Sequence, residues 1–439
     1  MKKRKVAVTT LGCKVNQFES ASFISQFQEQ GCEVVTASEG AEIVVVNTCA
    51  VTARAGQQSR QLIRRLRRDN PEARFVVTGC YAQLTGEELQ EQVADPSLVV
   101  IANADKHLLI RTALNEHEEI PSFRDVAKAQ EICPLPVRRF SGRTRAYLRI
   151  QDGCNNFCSY CIVPYTRGRC RSLPLAEVLA QVEVFVEEGY QELVITGINV
   201  GKYGLDLAEG ENIYSLLETL CRRFSSLRIR LSSVEPAEVN ERLLDLMTGF
   251  ANFMPHLHIP LQSGDDGILK RMRRKYSTGD FAEVIRRVRT VLPHAAIGCD
   301  ILAGFPGEDE QGAENGLAFL ASLPISYLHI FPYSLRPGTA AAKFADQVPG
   351  PVKDARVARL RALDAQKRVE FYQQHCGTEQ RVLFEGVDEQ SGLLKGFSEN
   401  YIPVRCQGMQ READVVGCVV PVRLVQVQDE VVFGEIITP

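Results

Sequence analysis

The chain has 439 residues, of which 45% are hydrophobic and 24% are charged, so it is long enough for two or three globular domains. No apolar run is long enough to span a bilayer, and the basic start leads into a stretch too short and polar for a signal peptide. We therefore expect a cytoplasmic protein without a membrane anchor. The net charge of −3 argues against a general nucleic-acid coat, and 14 cysteines without an export signal indicate metal binding or thiol chemistry rather than a disulfide scaffold.

Apolar strand-like runs alternate with helical spacing over the first hundred residues. This alternation predicts an α/β domain with a doubly wound parallel sheet over residues 1–110, followed by a linker over 111–143. The predicted strands are 5–11, 41–47, 74–78 and 98–101, and the predicted helices are 16–30 and 54–68.

Three cysteines of this domain each follow a predicted strand. Cys13, Cys49 and Cys80 come just after the first, second and third long strands. Ligands of open α/β sheets bind at the carboxyl edge of the strands, so these thiols are predicted to form a metal site there. The alternative interpretation is that they are buried small hydrophobes, as free cysteines often are.

A second set of cysteines has the spacing C-x3-C-x2-C. Cys154, Cys158 and Cys161 at this spacing match three corners of a cubane iron–sulfur cluster and leave one iron open for another ligand. Tyr160 is positioned to present an aromatic face beside the cluster. A structural zinc site, which needs four ligands, would require a fourth residue such as Cys170.

Strands and helices alternate again over residues 144–374. The six predicted strands favour a partial (β/α)6 barrel related to the TIM architecture, with functional residues at the strand C-termini. They are 146–151, 191–196, 227–231, 256–260, 296–302 and 325–331.

The last segment, residues 375–439, changes to short β runs punctuated by glycines. The pattern predicts a small OB-like β-barrel, a common nucleic-acid platform, although a domain for protein contact would have the same pattern. Four basic clusters elsewhere in the chain favour a polyanionic partner. They lie within residues 60–68, 138–145, 167–171 and 271–275.

With these motifs in place, the chain resembles the radical S-adenosylmethionine (SAM) methylthiotransferases over almost its whole length. The resemblance lies in the two cysteine sets and in the run from Gly153 to Gly168. It implies an N-terminal methylthiotransferase domain, a radical-SAM partial barrel and a C-terminal TRAM domain. It also implies that Cys154, Cys158 and Cys161 hold the SAM-cleaving 4Fe–4S cluster, and that Cys13, Cys49 and Cys80 hold an auxiliary 4Fe–4S cluster.

The implied reaction replaces a C–H bond at carbon 2 of an adenosine in tRNA with a methylthio group. That hydrogen is not acidic, so a radical from SAM is needed to remove it. The implied SAM contacts follow the barrel strands at Gly197, Asn199, Ser232, Glu235, Gln262 and Asp300, with Tyr160 beside the cluster. The implied partners are a reductant such as flavodoxin or ferredoxin, a sulfur donor and the anticodon stem-loop of tRNA.

Two sets of basic residues are predicted to bind the RNA substrate. Arg271, Arg273 and Arg274 are predicted to touch phosphates or a substrate carboxylate, because arginine binds carboxylates bidentately. In the C-terminal domain, a dispersed set is predicted to grip the anticodon arm. It comprises Arg381, Lys395, Arg405, Arg411 and Arg423.

The substrate branch depends on few residues. The runs from Gly12 to Gln17 and from Asn47 to Thr52 resemble the branch that modifies N6-threonylcarbamoyladenosine, at tRNA position 37 next to the anticodon. The alternatives are isopentenyladenosine in tRNA and an aspartate of a ribosomal protein. An alternative of another class is a non-catalytic iron–sulfur protein that binds RNA or senses redox state.

Overall fold

The structure is a computed structural model that describes residues 3–93, 97–115, 125–207, 210–407 and 415–437. The N-terminal domain begins with β1 (Lys5–Thr10), α1 (Lys14–Glu29), β2 (Glu33–Val34) and β3 (Ile43–Thr48). It continues with α2 (Ala53–Asp69), β4 (Arg74–Gly79), α3 (Cys80–Val93), β5 (Leu98–Val100) and α4 (Leu109–Leu114). The five strands form a parallel sheet in the order β2-β1-β3-β4-β5.

Both faces of this sheet are covered, which confirms the doubly wound architecture. All six residues of β3 are buried, as expected of a central parallel strand. Its alternate residues enter two separate cores: Ile43 and Val45 pack with α1 and α4, whereas Val44 and Val46 pack with α2. The strand order reverses between β1 and β3, and Cys13 and Cys49 follow these two strands.

The central domain contains β6 (Arg145–Arg149), β7 (Gln151–Asp152), α5 (Val163–Arg167), β8 (Arg171–Ser172), α6 (Leu175–Glu187), β9 (Glu192–Thr196), α7 (Ile213–Arg223), β10 (Arg228–Leu231) and α8 (Glu241–Gly249). It ends with β11 (His256–His258), α9 (Asp266–Arg271), α10 (Thr278–Val291), β12 (Ala296–Ala303), α11 (Glu310–Ser322), β13 (Tyr327–Pro332) and α12 (Gly350–Gln373).

The six long strands of this domain form the predicted partial barrel. They lie in two parallel three-stranded sheets, β6-β9-β10 and β11-β12-β13. Parallel bridges from Ile229 to Phe253 and from Ser233 to His258 join the two sheets. The described part of the predicted linker is packed rather than extended, because Ile132, Leu135 and Phe140 are buried in the barrel core.

The C-terminal domain is a closed five-stranded barrel. Its strands are β14 (Glu379–Val387), β15 (Leu394–Phe397), β16 (Pro403–Cys406), β17 (Val419–Gln428) and β18 (Val431–Ile436), in the order β14-β15-β16-β18-β17. The sequence did not predict β15, because it has only four residues, Gly396 lies within it and Gly392 lies just before it. The structure explains the first of these glycines: a Cβ at Gly396 would lie 2.3 Å from the backbone oxygen of Leu383.

The C-terminal barrel packs on the amino ends of the central strands. Its core includes Ala296 and Tyr327 of the central domain and Phe371 and Tyr372 of α12. The buried guanidinium of Arg230 in β10 donates to the backbone oxygen of Glu399 at 2.9 Å. Among the described residues, no helix is long and apolar enough to cross a membrane.

Candidate active site between two cysteine triads

The first triad forms where three parallel strands end. Cys13 is the N-cap of α1, Cys49 follows β3 and Cys80 begins α3. Glycines allow the close approach: a Cβ at Gly12 (φ +106°) would lie 3.1 Å from Cys49 Sγ, and one at Gly79 (φ +97°) would lie 2.3 Å from the Thr48 backbone oxygen. The structure therefore brings the three predicted thiols to one sheet edge.

The environment of this triad suits a metal cluster. The pKa of Cys49 is raised to about 11, mainly by burial and to a smaller extent by the neighbouring thiols of Cys80 and Cys13. Burial also raises the pKa of Cys13, while the guanidinium of Arg167 opposes that shift. Thiols this close repel one another once ionised, so the cations of a cluster would stabilise their thiolate form. Three converging thiols fit a cubane with one open iron.

The second triad lies in the loop between β7 and α5. The backbone N–H of Cys161 donates to the Cys158 oxygen at 3.0 Å, which closes a turn that places both thiols on one side. A Cβ at Gly153 would lie 1.9 Å from the Arg169 oxygen, so only glycine fits before Cys154. The pKa of Cys161 is raised to about 12, mainly by burial and to a smaller extent by the adjacent thiols of the triad.

Hydrogen-bond donors point at the sulfurs of the second triad. The N–H of Asn156 lies 3.4 Å from Cys154 Sγ, and Asn199 Nδ2 lies 3.7 Å from the same atom. Arg274 Nη1 lies 3.4 Å from Cys158 Sγ. Such donors stabilise the negative charge of cluster thiolates and tune their potential. The donor set therefore fits a 4Fe–4S cluster with three protein ligands.

One cavity of about 640 Å³ connects the two triads. Cys13 of the first triad lines it, and so do all three cysteines of the second. Its volume is in the range of small-molecule sites in proteins. The seven residues expected to bind SAM all lie on its wall: Tyr160, Gly197, Asn199, Ser232, Glu235, Gln262 and Asp300.

Several of these residues are held in place by neighbours. Tyr160 packs edge-on against Phe305 with ring centroids 6.4 Å apart. The backbone N–H of Asn199 donates to Gln151 Oε1 at 2.7 Å, and the Glu235 carboxylate pairs with Arg274. Their positions are therefore set by the protein before any ligand binds.

Gln262 and Asp300 are coupled through the backbone. Gln262 has a left-handed backbone (φ +75°), and its N–H donates to the Asp300 oxygen at 2.8 Å. Burial favours a raised pKa for Asp300, but hydrogen bonds from His258 and His329 hold it well below its usual value. Asp300 is therefore an anion on the cavity wall at neutral pH.

The interior of the partial barrel contributes residues that the sequence analysis missed. Arg230, His256, His258, Tyr327 and His329 all line the cavity. The His258–Asp300 and His329–Asp300 pairs have N–O distances of 2.9 and 3.6 Å. The available signal was polar residues two positions apart within predicted strands, because residues i and i+2 of a strand face the same side.

The predicted RNA-binding run is divided between two environments. Arg274 lines the cavity and is almost fully buried, whereas Arg273 is exposed and has a left-handed backbone (φ +61°). Arg271 turns away from the cavity and binds both oxygens of Asp346 at 2.7 Å. The structure thus brings only Arg274 to the expected SAM-binding residues.

The predicted basic residues of the C-terminal barrel lie on its strands. Lys395 and Arg405 are directly opposite each other on β15 and β16, and Arg381 is exposed on β14. Arg405 pairs with Asp388 at 3.1 Å, and Arg423 pairs with Glu379 at 3.2 Å. Arg411 lies outside the described residues.

Comparisons with known proteins agree with this geometry. Residues 5–100 match the family model described as uncharacterized protein family UPF0004, and residues 148–320 match the radical SAM superfamily. The chain is 38% identical to the threonylcarbamoyladenosine tRNA methylthiotransferase MtaB of Bacillus subtilis, over 96% of this chain and 94% of the relative. The Aquifex aeolicus protein of the same name is 37% identical, over 94% of this chain and 99% of the relative.

Relatives that are named for a different modified nucleoside are slightly less identical to this chain in sequence. A tRNA-2-methylthio-N(6)-dimethylallyladenosine synthase of Syntrophobacter fumaroxidans is 32% identical, over 99% of this chain and 96% of the relative. Among solved structures, the radical SAM methyltransferase TsrM of Kitasatospora setae has a TM-score of 0.56 at 17% identity and covers 77% of each chain. This last likeness concerns the fold alone.

The relatives share nearly the whole length of the chain, and both family models cover the domains that carry the cysteine triads. The family predicted from the sequence is thereby confirmed. The chain belongs to the radical SAM methylthiotransferase family, whose members use two 4Fe–4S clusters and S-adenosylmethionine.

Proposed function

We propose that this protein adds a methylthio group to carbon 2 of N6-threonylcarbamoyladenosine at position 37 of tRNA. The observation that carries the proposal is the single cavity lined by thiols of both triads. Two reactive centres that open into one cavity allow a base to be activated and to receive sulfur without leaving the protein.

The cysteine assignments follow the family resemblance, and the environments of the two triads fit them. Cys154, Cys158 and Cys161 would hold the SAM-cleaving cluster, and Cys13, Cys49 and Cys80 would hold the auxiliary cluster. When bound, these groups and SAM supply the radical that removes an unactivated hydrogen and the methylated sulfur that replaces it. The protein itself binds, orients and shields the reactants.

The residues on the cavity wall divide this task. Asn199 and Glu235 lie close to the second triad, where polar groups would orient the methionine end of SAM. Tyr160, adjacent to Cys161, offers an aromatic face in the same region. Arg274 holds Glu235 and approaches Cys158, so it is suited to position both.

The partners follow from the reaction. The RNA would contact the exposed Arg273 and Arg381 and the half-buried Lys395 and Arg405 through its phosphates. The reaction also consumes electrons and sulfur, so a reductant such as flavodoxin or ferredoxin and a sulfur donor are required. We place this reaction in the cytoplasm, where tRNA is modified.

The choice of substrate rests on the relatives. Those named for threonylcarbamoyladenosine are 34–38% identical to this chain. Those named for dimethylallyladenosine are 32–33% identical. This difference favours the threonylcarbamoyl substrate, in agreement with the runs around Cys13 and Cys49.

The test is an anaerobic assay of the reconstituted enzyme with SAM and a reductant. Anticodon stem-loops of one sequence would carry either threonylcarbamoyladenosine or isopentenyladenosine, and nucleosides would be analysed by mass spectrometry. We expect a mass increase from methylthiolation on the first RNA only. Modification of the second RNA alone would contradict the substrate, and absence of 5′-deoxyadenosine would contradict radical SAM catalysis.

A further inference from the structure

The end of the cavity opposite the second triad is unusually rich in positive charge. Lys14, Arg145 and Arg230 surround the ring of Tyr401, which the C-terminal barrel inserts into the cavity wall. The guanidinium carbons of Arg145 and Arg230 lie 5.4 and 4.9 Å from the centroid of that ring.

The arginines of this region already have carboxylate partners. Glu192 accepts from Arg230 at 2.7 and 3.1 Å and lies 3.3 Å from Arg228 and 3.9 Å from Arg145. Glu385 pairs with Arg145 at 2.5 Å. These three arginines therefore share two carboxylates, and their guanidiniums are fixed by these contacts.

Lys14 is different, because its ammonium makes no hydrogen bond or ion pair within the described part of the chain. It adds a fourth cation to three arginines whose ion pairs are with Glu192 and Glu385. An uncompensated cation inside a protein cavity is costly, and a bound anion would remove that cost. The positive electrostatic potential also affects the hydroxyl of Tyr401. Although burial raises the pKa of Tyr401, the nearby cations Arg145 and Lys14 lower it below its ordinary value.

We propose that Lys14 binds the carboxylate of the threonylcarbamoyl group of the substrate, with Arg145 and Arg230 supplying the surrounding positive potential. This inference rests on the proposed function. Lys14 directly follows Cys13, so the contact lies on the side of the cavity where the auxiliary triad opens. An isopentenyl group is apolar and uncharged, and it would leave these cations uncompensated.

The basic run that begins at the end of α9, residues 271–275, is less suited to this role. Arg271 is occupied by Asp346 away from the cavity, and Arg274 is occupied by Glu235 beside the second triad. Lys14 is thus the described cation that faces the cavity without a carboxylate of its own. We assign Lys14 as a substrate-binding and specificity-determining residue.

The test compares RNA affinities of the holoenzyme by fluorescence anisotropy under anaerobic conditions. The probes are one anticodon stem-loop with threonylcarbamoyladenosine and the same RNA with that carboxylate converted to its methyl ester. We expect the wild-type protein to bind the acid roughly tenfold or more tightly than the ester, as is typical of a charge-assisted hydrogen bond. Equal affinities would overturn the inference without any variant.

Variants locate the contact. Lys14→Met should reduce the affinity for the acid to that for the ester, and Lys14→Arg should keep most of the preference. Lys128→Met, at an exposed lysine of the segment between the N-terminal and central domains, is the matched control and should leave both affinities unchanged. A preference for the acid that survives in Lys14→Met would overturn the assignment.

The two proposals fail in different ways. If the enzyme methylthiolates the threonylcarbamoyl stem-loop but binds acid and ester equally, the role of Lys14 is wrong and the proposed function stands. If it modifies only the isopentenyl stem-loop, the proposed function is wrong and the inference falls with it.

Discussion

The glycines before Cys13 and Cys80 determine how closely the first triad can assemble. Gly79 has a left-handed backbone (φ +97°), and its missing Cβ leaves room for the Thr48 oxygen. Thr48 directly precedes Cys49, so this contact sets the separation of two of the three thiols. The geometry of the triad thus depends on residues that carry no ligand atom.

Replacing Gly79 with alanine should disrupt the auxiliary site while leaving the second triad intact. An added Cβ would lie 2.3 Å from a backbone oxygen, so β4 must shift away from β3. We expect iron in the reconstituted protein to fall from about eight to about four atoms per chain, since each cubane contains four. SAM cleavage without RNA should persist.

The matched control for iron content is Cys170→Ser. Cys170 lies near the second triad, where Gln151 Nε2 approaches its sulfur at 3.0 Å, but it belongs to neither triad. Iron content should therefore remain that of the wild type. Full iron content in Gly79→Ala, or a loss in Cys170→Ser, would contradict the assignment of the ligands.

The grouping of six cysteines into two triads could be predicted because its signals are local: one set has a fixed spacing, and the other follows three strands. Lys14, Arg230 and His258 could not be predicted, because their roles depend on which strands become neighbours and on where the C-terminal barrel packs. Arg271 illustrates the same limit, since its partner Asp346 is 75 residues away. Sequence proximity to Arg274 did not place it in the cavity.

At the scale of elements, a buried ion network joins the N-terminal sheet to the partial barrel. Arg167 at the end of α5 lies 3.0 Å from both Glu19 of α1 and Asp152 of β7. Lys106 also pairs with Glu19, at 2.6 Å. Because Cys13 is the N-cap of α1 and β7 precedes Cys154, this network fixes the position of one triad relative to the other.

Arg167→Met should destabilise the protein strongly, because it leaves the carboxylates of Glu19 and Asp152 undercompensated in a buried site. We expect the free energy of unfolding to fall by roughly 3–5 kcal/mol, which is typical of removing one partner from a buried ion pair. Chemical unfolding of the protein monitored by circular dichroism measures it. Arg64→Met, at an exposed position of α2, should change stability little, and a similarly small effect of Arg167→Met would contradict the role of the network.

Glu192 links strands β6, β9 and β10 through its arginine partners, and this predicts a pH dependence. Burial favours a raised pKa, but Arg230 and Arg228 lower the pKa of Glu192 from 4.5 to about 2. A depressed carboxyl pKa stabilises the folded state above pH 4.5, and this contribution is lost as pH falls toward 2.

The stability difference between wild type and Glu192→Gln should therefore be constant from pH 7 to 5 and shrink below pH 4.5. Urea unfolding of the cluster-free proteins at several pH values measures this difference. Glu218→Gln removes a surface ion pair with Arg222, so at neutral pH it should lower the free energy of unfolding less than Glu192→Gln does. A difference that grows on acidification would contradict the ion-pair assignment.

For the elements themselves, the sequence predicted the long, buried strands well. The long strands of the first sheet are mostly apolar runs bounded by turns, and the strands of the partial barrel have apolar residues at alternate positions, as in β10 and β11. The short strands β2, β7 and β8 were missed because two residues contain no periodicity, and they are defined only by pairing with other segments.

At the scale of the whole molecule, the C-terminal barrel has two roles in this account. Tyr401 completes the cavity wall, and the outer strands carry the basic residues proposed to bind RNA. Deleting the barrel would therefore expose Tyr327 and the core around Phe371, besides removing RNA contacts. Charge reversal on its surface separates these roles.

A triple variant with glutamate at Arg381, Lys395 and Arg405 should weaken tRNA binding and reduce its dependence on salt. The slope of log affinity against log salt should decrease by about one for each phosphate contact removed. Affinities measured between low and moderate salt test this, with Arg222→Glu on α7 as the control. An unchanged slope would contradict the RNA-binding role of the barrel.

The proposed reaction can be tested by mass spectrometry of tRNA nucleosides from a strain that lacks this gene and from the same strain with the gene restored. We expect selective loss of 2-methylthio-N6-threonylcarbamoyladenosine, accumulation of its precursor and recovery on restoration. Unchanged levels of this nucleoside, or loss of the isopentenyl counterpart instead, would contradict the proposed reaction.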